Sequence, residues 1–195
     1  IGRVFFGHEH KSQPDEPRFV CGVMSGAWDD DQWNRKYPKL NFFDAKGVVQ
    51  ELLKALRITK VRYKVADQEE YGWLQPGCAA EIYAHGGELI GWVGNIHPEV
   101  LRNFEVEQDV VAFELSVEAL LRLAKRELPY QEVPTLPGVS VDLAIVVDED
   151  VTAETVEQRI QSAGGKLLAD VRLFDVFRDK QRVGEGKKSL AFSLT

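Results

Sequence analysis

The order of secondary-structure patterns after residue 140 constrains the fold of this chain more than any other feature. Alternating apolar residues predict strands, a capping threonine followed by apolar residues at helical spacing predicts a helix, and Gly164-Gly165 predicts where that helix ends. The predicted elements are a strand over Val141–Val147, a helix capped by Thr152, a long strand over Leu167–Arg178 and a third strand over Ser189–Thr195.

This strand, helix, strand, strand order is the first two-thirds of a ferredoxin-like split β-α-β fold, and the second helix and fourth strand expected of that fold do not follow. A sheet of this kind carries helices on one side only, so its other face can be open. In the last strand we expect one face, of Leu190, Phe192 and Leu194, to contact the helix. The open face would then consist of Ser189, Ala191 and Ser193.

Strict alternation along the long strand predicts two sets of side chains. Val171, Leu173, Asp175 and Phe177 share one face, and the opposite face carries Arg172, Phe174, Val176 and Arg178.

Charge and aromatic content together indicate a possible use of the open face. Between Lys166 and Lys188 there are seven basic and four acidic residues. An aromatic side chain on an open sheet face can stack an unpaired base, which contributes roughly 1–3 kcal/mol. The pattern therefore suits single-stranded RNA. The alternative is that Phe177 is a core residue and the charged loop is merely solvated.

The earlier part of the chain predicts a second kind of unit. Val48, Val49, Leu52, Leu53 and Leu56 form the apolar stripe of a helix that Asp44 could cap, and short apolar runs before and after it predict strands. A proline-containing stretch without clean periodicity then separates the two parts. We expect an α+β chain with domains at 1–125 and 141–195 and a linker at 126–140.

Composition excludes several function classes. A formal net charge of −7 argues against nucleic-acid binding through bulk attraction, so RNA contact requires a local patch. The two cysteines are far apart, and the pair His8 and His10 has no third ligand nearby, so no metal site is predicted.

No run reaches the roughly 20 apolar residues that span a membrane, and the first residues do not resemble a signal peptide. We expect a cytoplasmic protein that contacts no membrane.

Several segments, in order along the chain, resemble the β subunit of bacterial phenylalanyl-tRNA synthetase. They are IGRVF at 1–5, NFFDAKGVVQELL at 41–53, LQPGCAAEIY at 74–83, LIGWVGNIHPEVL at 89–101, VAFELSVEALL at 111–121, VDLAIVVDEDVTAE at 141–154 and LLADVRLFDVFRDKQRVGEGKKSLAFSL at 167–194. No single segment is diagnostic, but the series is specific and covers nearly the whole chain.

The resemblance implies a degenerate class II synthetase core with an antiparallel sheet, followed by part of a ferredoxin-like anticodon-binding domain. It implies no catalytic residue in this chain, which lacks the glycine-rich strand–helix segment ending in the arginine that class II enzymes use on ATP. By the same resemblance, Phe177 stacks on the first anticodon base and Asp175 hydrogen-bonds its edge. Further RNA contacts are expected from Ser189, Ser193 and Arg178.

The sequence departs from the family pattern at three positions. Ser140 and Val141 stand where the family usually has an arginine pair, and Gln75 stands where a histidine is common. These departures weaken any RNA contact near Ser140 and are compatible with a divergent paralogue.

The resemblance also implies partners. They are a catalytic α subunit in an α2β2 assembly and the tRNA for phenylalanine. ATP and Mg would serve the assembled enzyme, with no cofactor expected on this chain. Two alternatives remain open: a ferredoxin-like regulatory module that binds an amino acid, and a paralogue that binds RNA without synthetase activity.

Overall fold

The computed structural model describes residues 1–7, 13–59, 61–125 and 137–195. The chain divides into two compact units, Ile1–Pro129 and Tyr130–Thr195. Most of the linker expected at 126–140 lies outside the described residues, as do His8 and His10. None of the helices in the described ranges has the length and apolar character needed to cross a membrane.

The first unit is an antiparallel sheet with three helices. Its strands lie in the order β1-β2-β6-β5-β4-β3. In chain order the elements are β1 (Gly2–Arg3), β2 (Arg18–Ser25), α1 (Phe42–Ala55), β3 (Arg62–Val65), β4 (Leu74–Tyr83), β5 (Leu89–Ile96), α2 (Pro98–Asn103), β6 (Val110–Ser116) and α3 (Val117–Leu123).

Helix α1 begins one turn earlier than the sequence indicated. The side chain of Asn41 caps it by accepting a hydrogen bond from the backbone N–H of Phe43 at 2.8 Å. Asp44 is therefore not the cap. It lies in the first turn and accepts from the backbone N–H of Asn41 at 2.8 Å, which completes a capping box.

The core of the first unit lies between the helices and one face of the sheet. Val49 and Leu53 of α1 pack there with Ile82, Val93 and Leu115 from three neighbouring strands. All of these side chains are buried. The unit is thus an α+β layer with the antiparallel sheet that the resemblance implies.

The second unit has the predicted strand, helix, strand, strand order. It consists of β7 (Val141–Asp148), α4 (Ala153–Gly164), β8 (Val171–Phe177) and β9 (Lys187–Leu194), and its sheet has the order β7-β9-β8. The side chain of Thr152 accepts from the backbone N–H of Thr155, and Gly165 ends the helix at a φ of 54°, where glycine has no steric penalty. A short 3-10 turn at Gly165–Leu167 follows, so β8 starts later than the expected residue 167.

Strand β9 provides most of the core of the second unit. Leu190 and Phe192 are fully buried and pack against Val156 of α4, and Leu194 joins the same cluster. The prediction that these three alternate residues of β9 face the helix is confirmed.

Candidate nucleic-acid interface

Strand β8 contains a β-bulge that interrupts its alternation. Leu173 lies opposite Phe192 of β9, but the next residue of β9 toward its start, Ala191, lies opposite Asp175. Phe174 is therefore the extra residue. The bulge adds one residue to β8. The alternation of side chains between the two faces of the sheet is therefore displaced by one position after Phe174.

The bulge corrects the predicted faces of β8. Directly opposed residues of antiparallel strands carry their side chains on the same face. Val171 and Leu173 lie opposite core residues of β9 and face the helix, whereas Asp175 lies opposite Ala191 and Phe177 opposite Ser189. The prediction that all four share one face is wrong; Asp175 and Phe177 share the open face.

Three rows of aligned residues cross all three strands on the open face of the second unit. Phe177 and Ser189 form a row with Val146, and Asp175 and Ala191 form a row with Ala144. The third row is Arg172, Ser193 and Asp142. Phe177 is 40% exposed, and both serines are half-buried. An aromatic ring, a carboxylate and a hydroxyl thus lie together on one solvent-facing surface.

Arg178 lies just beyond the end of β8, and a carboxylate already holds it. Its Nε and Nη2 atoms both donate to Oε1 of Glu149 at 2.9 Å. More than half of the Arg178 side chain remains exposed. Any contact between Arg178 and RNA would have to share the guanidinium with Glu149.

Part of the positive charge of the β8–β9 hairpin is used within the protein. Lys188 is buried and donates to the backbone carbonyl of Glu149 at 2.6 Å, and Lys180 pairs with Glu185 at 2.9 Å. Within the described parts of the chain, four basic side chains of this region make no hydrogen bond or ion pair: Lys166, Arg172, Arg182 and Lys187.

The sequence pattern did not predict Arg172 on the open face, because strict alternation along β8 places Arg172 and Phe177 on different faces of the sheet. A signal for the bulge was nevertheless present. The apolar residues Val171, Leu173 and Val176 are spaced by two and then three positions, which a regular strand cannot place on one face.

The ATP and Mg²⁺ that the resemblance assigns to the assembled enzyme would need phosphate-binding donors and metal-ligating side chains if they bound to the first unit. At the junction where β6 runs directly into α3, Glu118 accepts from the Nε atom of Arg18 at 3.0 Å, and Ala119 is buried. A carboxylate here would repel a phosphate, and the described residues contain no cluster of three or more metal-ligating side chains. The residues at this junction therefore do not fit a site for ATP and Mg²⁺.

The fold and the open face together define a class of protein. Residues 134–195 match the family model described as the ferredoxin-fold anticodon binding domain. Residues 1–117 match the model described as the phenylalanyl tRNA synthetase beta chain CLM domain. The chain therefore belongs to the phenylalanyl-tRNA synthetase β-chain family.

Curated relatives agree with both matches. The phenylalanine–tRNA ligase beta subunit of Bacillus licheniformis is 39% identical over 195 residues, that of Listeria monocytogenes serotype 4b is 37% identical over 196, and that of Bacillus subtilis is 38% identical over 194. Each alignment covers the whole of this chain and 24% of the relative. The chain thus spans about a quarter of the length of these relatives.

Proposed function

We propose that the second unit binds the anticodon of a tRNA on its open sheet face. The observation that carries the proposal is the bulge at Phe174, which places Asp175 and Phe177 on the same face as Ser189. Without this shift, both residues would share the face of Val171, which packs in the core.

The chemistry of this face suits one unpaired base. The ring of Phe177 provides a stacking surface, and the neighbouring carboxylate of Asp175 can accept hydrogen bonds from the N–H groups of a base edge. The hydroxyls of Ser189 and Ser193 can donate or accept. Arg178 adds positive charge at the border of the face, shared with Glu149.

The name that these relatives share supports a proposal for the whole protein. We propose that the complete protein is the β subunit of an enzyme that joins phenylalanine to its tRNA in the cytoplasm. The partner would be a catalytic α subunit in an α2β2 assembly, which would also hold the ATP and Mg²⁺. This chain would contribute subunit contacts and anticodon recognition.

Replacing Phe177 by alanine tests the anticodon proposal. We expect the dissociation constant for the phenylalanine tRNA to rise roughly fivefold to a hundredfold, because the lost stacking contributes roughly 1–3 kcal/mol. The measurement is a binding titration of the full-length protein in its natural assembly. The control is Phe104→Ala, since Phe104 is 77% exposed in the first unit and far from the open face in sequence. Unchanged tRNA affinity in the Phe177 variant would remove the proposal.

Amino-acid-dependent exchange of pyrophosphate into ATP tests the assembly. The full-length protein would be co-purified with its catalytic partner and assayed with all twenty amino acids, and we expect exchange with phenylalanine alone. A stable complex without exchange would indicate a paralogue that binds RNA. Failure to form a complex, together with dimerisation that depends on an amino acid, would indicate a regulatory module instead.

A further inference from the structure

Arg172 belongs to the open face but has no part in the contacts proposed above. It lies opposite Ser193, in the row that Asp142 completes on β7. Its side chain is exposed and makes no hydrogen bond or ion pair within the described parts of the chain. A guanidinium carries five N–H donors, so all five are available to a ligand.

The spacing of the rows separates Arg172 from the base on Phe177. Ser189 and Ser193, which mark the two rows on β9, are four residues apart, or about 14 Å along the strand. Asp175 lies between the two rows. A base that stacks on Phe177 and meets Asp175 with its edge therefore ends short of Arg172, which would contact another part of the same RNA strand.

The charges around Arg172 favour a short-range contact. Asp142 lies in the same row but two strands away, about 10 Å, and Asp175 lies in the adjacent row. Neither carboxylate pairs with Arg172. Because two negative groups flank it, the guanidinium creates no broad positive field. It can still bind an oxyanion that touches it directly, with bidentate geometry.

We propose that Arg172 binds a phosphate that flanks the base stacked on Phe177, so that the open face holds two consecutive nucleotides. This inference rests on the proposed anticodon function. It adds a residue that positions the RNA backbone and carries no information about base identity.

The test compares Arg172→Gln with Arg159→Gln in the full-length assembled protein. Arg159 lies exposed on α4, on the opposite side of the sheet, so the control removes the same charge away from the open face. Binding of the phenylalanine tRNA is titrated over a salt series. We expect Arg172→Gln to weaken binding roughly tenfold at low salt. The slope of log K against log salt should fall by about 0.7, the value for one phosphate contact of a single strand.

Two further measurements separate the possible outcomes. Arg172→Lys should keep the wild-type salt slope, since it keeps the charge. Arg172→Gln should weaken binding by the same factor for tRNAs that differ in their anticodon bases. If Phe177→Ala weakens binding but Arg172→Gln keeps wild-type affinity and slope, the phosphate contact is overturned and the anticodon proposal stands. A loss confined to one anticodon base, with an unchanged slope, would overturn the phosphate contact by making Arg172 a base reader. If neither variant weakens binding, both proposals fail.

Discussion

The phenol of Tyr71 is buried in the first unit and lies near acidic side chains. Its side chain is 5% exposed and packs with Leu74 and Ala79. Burial, reinforced by the nearby charges of Glu70 and Glu81, raises the pKa of Tyr71 to about 12. The neutral phenol is therefore strongly favoured in the folded state.

This shift predicts a loss of stability at alkaline pH. An unfolded chain releases the Tyr71 proton near pH 10, whereas the folded protein keeps it to about pH 12, so stability falls as pH rises between these values. The loss from this group reaches about 1.4 kcal/mol at pH 11.

Urea unfolding at several pH values from 9 to 11 measures the effect. The Tyr71→Phe variant cannot ionise at this position, so its free energy of unfolding should depend less on pH than that of the unchanged protein. Equal pH dependence in the two proteins would show that Tyr71 does not titrate differently on folding.

At the scale of elements, the bulge in β8 decides which side chains meet solvent. Val176 lies opposite the buried Leu190 of β9, so its side chain is on the helix side of the sheet. A regular strand would have to turn either Leu173 or Val176 away from the helix side. The extra residue lets both lie on that side.

Deleting Phe174 tests this account. The remaining residues would alternate regularly, with Leu173 and Val176 toward the helix and with Asp175 and Phe177 on the open face. We therefore expect the deletion to keep the pairing of Phe177 with Ser189, measured as cross-strand NMR contacts, and to keep tRNA affinity well above that of Phe177→Ala. If β8 were instead a regular strand with Phe177 already on the open face, the deletion would turn Phe177 toward the helix and abolish both.

Across the whole molecule, the two units differ in how much apolar surface they bury. In the first unit, two helices and a six-stranded sheet enclose a large cluster of buried side chains. In the second, the buried apolar side chains among described residues are Val156, Leu190 and Phe192, while Val141 and Val146 of β7 stay more than half exposed. The second unit therefore gains less stabilisation from burial.

Amide hydrogen exchange should reveal this difference. We expect faster exchange throughout 141–195 than in the sheet of the first unit, because a small core opens at a lower free energy. Exchange would be followed residue by residue on the whole chain. Uniform protection across both units would contradict the expectation.

Sequence patterns located most elements but not all of their limits. The short apolar runs that predict strands after α1 correspond to β4 and β5, and β4 is longer than its apolar run because it starts at Leu74. Pro76 and Gly77 lie within β4, where the pairing with β5 is irregular between Leu74 and Ala79. Proline and glycine are tolerated in a strand where ladder pairing is interrupted, and only the partner strand shows where that is.

The sequence by itself determined the order of elements, the buried face of β9 and the pairing of Phe177 with Asp175 on one face. These follow from local periodicity and helix-capping chemistry. The tertiary structure alone decided that this shared face is the open one and that Arg172 lies on it. The physical reason is that the register of β8 is set by placing Leu173 and Val176 opposite the buried Phe192 and Leu190, a pairing between residues distant in the chain.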